Sequence, residues 1–279
     1  MRKITYDIIY SYRDHLINEE KSCATLEKYI RDVKEFAYWT GGKDFNKTDV
    51  LEYKSNLVEK YAPASVNSKL SSLNSFFKYC EWYELRVKTL KIQKNVFASS
   101  ERELTKSEYE RLLSVADKGK KEKLSLLMQT ICSTGIRVSE LRYIDTEAIE
   151  NGMARIYCKG KCRMVFLPVR LCKCLKRYIK ERKIKSGPVF VSKNGNPLDR
   201  SNIWTEMKKL CREAGVSEKK VFPHNLRHLF ARTYYAVQKD IVRLADILGH
   251  SSVNTTRIYT MESGEIHRQQ IQRLGLLRC

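Results

Sequence analysis

Apolar positions recur every three or four residues through most of the chain, which is the period of an amphipathic helix. Ile4, Ile8, Ile9, Tyr12 and Leu16 share one face of a first predicted helix. Ser22 is placed to cap a second, with Leu26, Tyr29, Ile30, Val33 and Phe36 inward and Gly41-Gly42 as its stop. Thr48 or Asp49 opens a short third helix. Pro63 then interrupts, and Val66, Leu70, Leu73, Phe77 and Cys80 mark a fourth. The aromatic side chains on these faces read as core rather than as platforms for stacked bases.

The helical pattern fades between Lys88 and Glu103, a polar stretch containing Ala98-Ser99-Ser100. It reads as a linker over 96–103 between a helical domain, 1–95, and a second domain, 104–279. A new helix starts at Thr105, where Glu108 three residues on completes a capping box. Around Met153–Pro168 the period changes. MARIYC and RMVFLP read as two short strands with Lys-Gly-Lys in the turn between them. Helical patterning resumes at Leu171 and dominates to the end, where Ser263 or Gly264 caps a last short helix bearing Ile266, Gln270, Ile271 and Leu274 on one face. The expected fold is mainly α with a small antiparallel β-sheet, in two domains. No internal repeat or low-complexity tract interrupts it.

Charge narrows the class of partner. Lys and Arg number 53 against 32 Asp and Glu, a net charge of +21. Residues 1–103 hold 18 basic and 15 acidic residues, and the rest hold 35 and 17, so the excess lies in the C-terminal part. A balance this basic points to a polyanion, nucleic acid before an anionic membrane. No run of about 18 apolar residues is present, and the start does not read as a signal peptide, so a cytoplasmic protein without a membrane span is expected. Nine cysteines then read as reduced thiols. Cys158 and Cys162, and Cys172 and Cys174, lack the C-x-x-C spacing of a tetrahedral site, and no metal is expected.

Histidine is scarce, with five in the chain, yet three fall between residues 224 and 250. They sit in Pro223-His224-Asn225-Leu226-Arg227-His228 and Leu248-Gly249-His250. Tyr259 follows in Thr-Thr-Arg-Ile-Tyr-Thr, and Arg137 stands upstream in Thr134-Gly135-Ile136-Arg137-Val138-Ser139-Glu140-Leu141. His224 and His228 are one helical turn apart, but Asn225 stands where a zinc protease needs Glu, and an arginine between the two would repel a cation.

The order is Arg, a Lys in a strand turn, H-x-x-R, L-G-H, then Tyr nine residues on. It resembles the tyrosine recombinase (phage integrase) family over roughly Leu104 to Met261, most like its Xer-type recombinases and small transposon integrases. The resemblance implies a helical core-binding, SAM-like DNA-binding domain before a catalytic domain. It implies that Tyr259 attacks a DNA phosphodiester and forms a 3′-phosphotyrosyl link, with no metal, cofactor or ATP. Arg137 and Arg227 would clamp the phosphate, because guanidinium stays charged and pairs its hydrogen bonds. His224 would take the tyrosine proton, His250 would add a hydrogen bond, and Lys159 would protonate the leaving 5′ oxygen. Anchoring the turn on Arg163 favours Lys159 over Lys161. Glu140 would orient the element carrying Arg137.

Site-specific recombination on that plan means a homotetramer in the synapse on double-stranded DNA with inverted-repeat half-sites, the C-terminal helix docking on a neighbouring protomer. The task is integration, excision, inversion or resolution. Two other readings share the scaffold. A type IB topoisomerase uses the same chemistry as a monomer, and a non-cleaving DNA-binding regulator would have lost the nucleophile or an arginine, whereas this set is complete.

Overall fold

The computed structural model describes residues 2–92, 102–158, 161–192, 194–259 and 272–273. They fall into two compact units divided between Lys94 and Asn95. Most of the linker expected at 96–103, the tail helix expected after Ser263, and Lys159 in the strand turn lie outside the described residues.

The first unit contains four helices, α1 (Tyr6–Asn18), α2 (Cys23–Trp39), α3 (Lys47–Lys60) and α4 (Pro63–Tyr79). Ser22 caps α2 as its sequence position suggests, accepting from the Thr25 amide. Ile4 lies ahead of α1, because Thr5 takes the cap. The third helix is longer than expected and opens earlier. Asn46 is its cap, and Asp49, read as a possible start, instead closes a capping box on the Asn46 amide at 2.6 Å. Pro63 separates α3 from α4 as expected, and does so by opening α4 at a position where its missing N–H costs nothing. The inward faces meet in an aromatic core, with Phe36 edge-on to Phe45, Tyr53 and Phe77.

A second core organises the other unit. Helices α5 (Lys106–Lys118) and α6 (Glu122–Thr134) lead to a 3-10 helix (Val138–Tyr143) and a short α7 (Thr146–Asn151). Thr105 and Glu108 form the expected capping box of α5. Strands β1 (Met153–Cys158) and β2 (Lys161–Phe166) pair antiparallel, Met153 opposite Phe166 and Cys158 opposite Lys161. Lys161 therefore belongs to the second strand and not to the turn, which is shorter than expected. Ala154, Ile156 and Val165 point into the core, and the alternation puts Arg163 on that same inward face.

Helix α8 (Val169–Arg182) starts two residues before Leu171. The helical pattern then breaks, against expectation, over 183–199. Ser186-Gly187-Pro188 and Asn194-Gly195-Asn196-Pro197 favour turns, and isolated bridges pair Asp145 with Pro188 and Val191 with Pro197. Helices α9 (Arg200–Lys208), α10 (Cys211–Ala214), α11 (Pro223–Gln238), α12 (Ile241–Leu248) and α13 (Val253–Thr256) complete the described unit. Among the described residues no helix is long and apolar enough to cross a membrane.

Helix α6 packs on α11 and buries residues all round. It ends at Gly135 with φ +68°, where an added Cβ would lie 2.5 Å from the Phe230 ring. This tight crossing places the start of the 3-10 helix beside the middle of α11.

Candidate active site

Arg137, Arg227, His250 and Tyr259 come from four separate elements, and the fold brings them to one place. Arg137 caps the 3-10 helix, Arg227 lies on α11, His250 follows α12, and Tyr259 ends a 3-10 turn after α13.

Glu140 is the organising carboxylate. It is 2% exposed. Its Oε2 accepts from the Arg137 amide at 2.7 Å and Arg163 Nη2 at 2.9 Å. Its Oε1 accepts from Arg137 Nη1 at 3.0 Å and Arg163 Nη1 at 2.9 Å. Burial pushes its pKa up, but the hydrogen bonds from Arg163 and Arg137 outweigh that and hold it below the usual carboxylate range. Glu140 thus fixes Arg137, as its place in the motif suggests. The sequence reading used Arg163 only to align the turn, and the structure makes it Glu140's second partner. Gly249 lies against it: an added Cβ would come 2.7 Å from Arg163 Cδ.

Arg227 is 1% exposed. Its Nη1 donates to the Gly135 carbonyl, and its Nη2 donates to the Leu248 carbonyl at 2.7 Å and lies 3.0 Å from His250 Nε2. Burial, then the charge of Arg137, lowers its pKa to about 10, so it stays charged at neutral pH. Its buried Nε–H has no partner. A guanidinium only donates, so His250 Nε2 must accept; the proton is then on Nδ1, which donates to Thr256 Oγ1 at 2.8 Å. Burial and the surrounding arginines, Arg227 foremost, lower the His250 pKa to about 4. Thr256 is a partner the sequence reading did not single out.

Tyr259 is 4% exposed and packs with Ala231, Leu244 and Leu248. Two histidine rings lie against it: His228 edge-on at 4.8 Å between centroids, and His250 near-parallel at 6.1 Å. His224, one turn before His228 on α11, meets the His228 ring at 4.5 Å between centroids. Loss of water around His224, with the charges of Arg227, Arg200 and Arg137, lowers its pKa. His228 was weighed in the sequence only as a zinc ligand. Its adjacency to Arg227 was the available signal, but its contact with Tyr259 spans 31 residues of sequence and needs the fold.

A cleft of about 630 Å³ opens beside these groups, lined by Arg137, Arg163, Gly249, His250, Ser251 and Thr255. Two guanidiniums, Arg137 and Arg163, face one carboxylate, Asp246, in this lining, so the cleft is net positive and suits an anionic oxygen group.

Residues 102–265 match the phage integrase family, and residues 8–85 match the phage integrase N-terminal SAM-like domain. The chain is 30% identical to tyrosine recombinase XerA of Pyrococcus furiosus, over 97% of this chain and 95% of that one. Among solved structures, a lambda integrase (75–356) dimer bound to a COC′ core site covers 93% of this chain and 96% of its own at TM-score 0.73 and 18% identity. The XerH site-specific recombinase in a post-cleavage complex with palindromic difH substrate covers 89% and 78% at TM-score 0.70 and 23% identity. The chain belongs to the phage integrase family, the tyrosine recombinases. Its fold is the mainly helical one of that family, a SAM-like domain followed by an integrase domain with a small antiparallel sheet.

Proposed function

We propose that the chain is a site-specific DNA recombinase that cleaves and rejoins DNA through a 3′-phosphotyrosyl intermediate on Tyr259. The observation that carries the residue roles is the buried, unpartnered Nε–H of Arg227, whose guanidinium lies against His250 in the wall of the cleft; Arg163, also in that wall, has a second such Nε–H. An orphaned charged donor costs about 1–3 kcal/mol or more, and a phosphate oxygen is the acceptor that satisfies it. Arg137, held by Glu140, is the second arm of the clamp. Together they offset the charge that builds on the non-bridging oxygens in the transition state.

His224 takes the phenolic proton. Its lowered pKa keeps it neutral and able to accept near neutral pH. His250 adds its hydrogen bond in the other tautomer, with Nδ1 accepting from the Thr256 hydroxyl and Nε2–H donating to the phosphate in place of its contact with Arg227 Nη2. Lys159 protonates the leaving 5′ oxygen. The covalent link stores the bond energy, so the second strand rejoins without ATP. The substrate is double-stranded DNA with inverted-repeat half-sites, synapsed by a homotetramer in the cytoplasm. Support for DNA as substrate comes from the +21 charge and from the DNA-bound relatives.

The test is Tyr259→Phe on a nicked suicide duplex. The variant should bind as the parent does and leave no denaturation-resistant protein–DNA adduct. An adduct formed by the variant overturns the assignment.

A further inference from the structure

The nucleophile and the base of the proposed reaction do not touch. The ring of His228 contacts both, edge-on to Tyr259 at 4.8 Å and 89° and to His224 at 4.5 Å and 73°. His224 and His228 are spaced by one turn of α11, so the helix holds the two imidazoles together beside Tyr259.

Its nitrogen is the second observation. His228 Nε2 is buried and has no hydrogen-bond partner. Cores retain few such groups, because each forgoes a hydrogen bond that water would have made. Packing alone would be served better by leucine or phenylalanine. The groups facing the ring are His224, Arg227 and Arg232 on its own helix and Tyr259 across from it. Burial first, then the positive neighbours, lower its pKa to about 4. At neutral pH the ring is therefore uncharged and keeps a lone pair, which suits an acceptor and not a proton carrier.

We propose that His228 is a positioning residue for Tyr259: its ring packs edge-on against the phenol, and its Nε2 accepts the phenolic hydrogen bond as the tyrosine turns toward the phosphate. This rests on the reading of Tyr259 as nucleophile. No proton is transferred to His228. The phenol has one hydrogen, so the bond to Nε2 is given up when attack begins: the phenolic proton then passes to His224 as the new oxygen–phosphorus bond forms and the 5′ oxygen leaves with a proton from Lys159.

The probe is a nicked duplex selected by the parent protein from random-sequence half-sites through covalent capture. If the parent captures nothing, the nucleophile reading fails, and this inference with it. If it captures a site, two variants separate shape from hydrogen bonding. His228→Gln keeps a carbonyl acceptor, and His228→Met has nearly the same bulk without one. Single-turnover cleavage by His228→Met should be about tenfold slower than by His228→Gln, the worth of one hydrogen bond, with equal DNA affinity. Equal rates for the two overturn the acceptor role. If His228→Met does not fold, His228→Phe takes its place in the same comparison. A substrate with sulfur at the bridging 5′ position reports which side of the reaction is affected. Sulfur needs no proton to leave, so it should not rescue His228→Met. Rescue to the parent rate would move His228 to the leaving-group side and overturn the proposal.

Discussion

Two arginines share the Glu140 carboxylate, and the four hydrogen bonds they donate include both of its oxygens twice. Glu140→Gln keeps the shape but removes the charge and turns one acceptor into a donor facing guanidinium. Breaking a buried ion pair from one side costs ~3–5 kcal/mol. We expect a loss of that order in urea unfolding, and a loss of cleavage exceeding any loss of DNA binding, since Arg137 is freed. Gly249 tests the same cluster from the other side. Gly249→Ala must bear both φ +65° and a Cβ 2.7 Å from Arg163, whereas Gly152→Ala bears φ +69° with open space around it. The left-handed backbone costs each variant ~1–2 kcal/mol. Any further destabilisation of Gly249→Ala measures the displaced Arg163, and equal melting temperatures would show that Arg163 simply moves aside.

The histidines give the site a pH signature. His228 and His250 have pKa values of about 4 in the fold, below the ordinary 6.5. The unfolded chain therefore binds more protons between those limits, and stability rises with pH there. Their contribution is full above about pH 6.5 and is lost as pH falls toward 4. Glu140, whose pKa is also lowered, adds its own loss only below the ordinary carboxylate value of 4.5. Melting temperature should therefore already decline between pH 6.5 and 5, and His228→Phe should flatten that decline. An unchanged slope in the variant would show that His228 does not carry it.

At the scale of elements, the first unit holds its exit segment with a seven-residue spacing. On α4, Asn67 brackets Leu90 and Asn74 brackets Val87, each amide donating to a carbonyl and accepting from the same residue's N–H. On α3, Lys47 and Lys54 reach the carbonyls of Arg86 and Lys88. Two turns of helix bring residues seven apart onto one face, so both helices grip the same extended strap. Asn74→Ala orphans the Val87 N–H and C=O, at about 1–3 kcal/mol. Hydrogen exchange of the Val87 and Leu90 amides should quicken well before that of α4 itself. If they exchange no faster than in the parent, the asparagines are not what holds the strap.

That strap shows where the sequence stopped being legible. The loss of helical period after Lys88 agrees with the irregular backbone of the described residues 88–92, but period cannot show that such a chain is held. Side chain to backbone clamps leave no pattern on the segment they hold. The helices were readable because their faces bury periodic apolar residues. Their starts were less so: Asn46 competed with Thr48 and Asp49 as cap, and geometry chose between them. In the site, Arg137, Arg227, His250 and Tyr259 were legible because the motif fixes them by order, and the fold does gather these four. Arg163 meets Glu140 and His228 meets Tyr259 across long stretches of sequence, and Thr256 meets His250 only through the turn that follows α12, contacts that motif order alone does not reveal.

At the scale of the whole molecule, the charge is divided unevenly. Residues 104–279 carry 35 basic and 17 acidic residues, against 18 and 15 before them. On the proposed DNA substrate this half would supply much of the phosphate attraction, and each neutralised phosphate releases counterion. Half-site affinity should fall by about 10³–10⁵ between 50 and 200 mM salt if roughly six to ten phosphates are engaged. Binding that hardly responds to salt would remove the electrostatic basis of the reading. The tail carries the last step, from binding to assembly. The helix expected there from sequence, with Ile266, Gln270, Ile271 and Leu274 on one face, would be too short to be stable alone and would need a surface to pack on. On the proposed homotetramer that surface belongs to a neighbouring protomer, and a head-to-tail contact of this kind closes a ring. Truncation after Ser263 leaves Tyr259 in place and separates the two cases. Docking on a neighbour predicts a folded protein that binds one half-site with the parent's affinity but has lost cooperative binding to a full site, read in a mobility-shift titration. A truncated protein that melts far below the parent would place that face in its own core. One that still fills both half-sites cooperatively would mean that assembly runs through another surface.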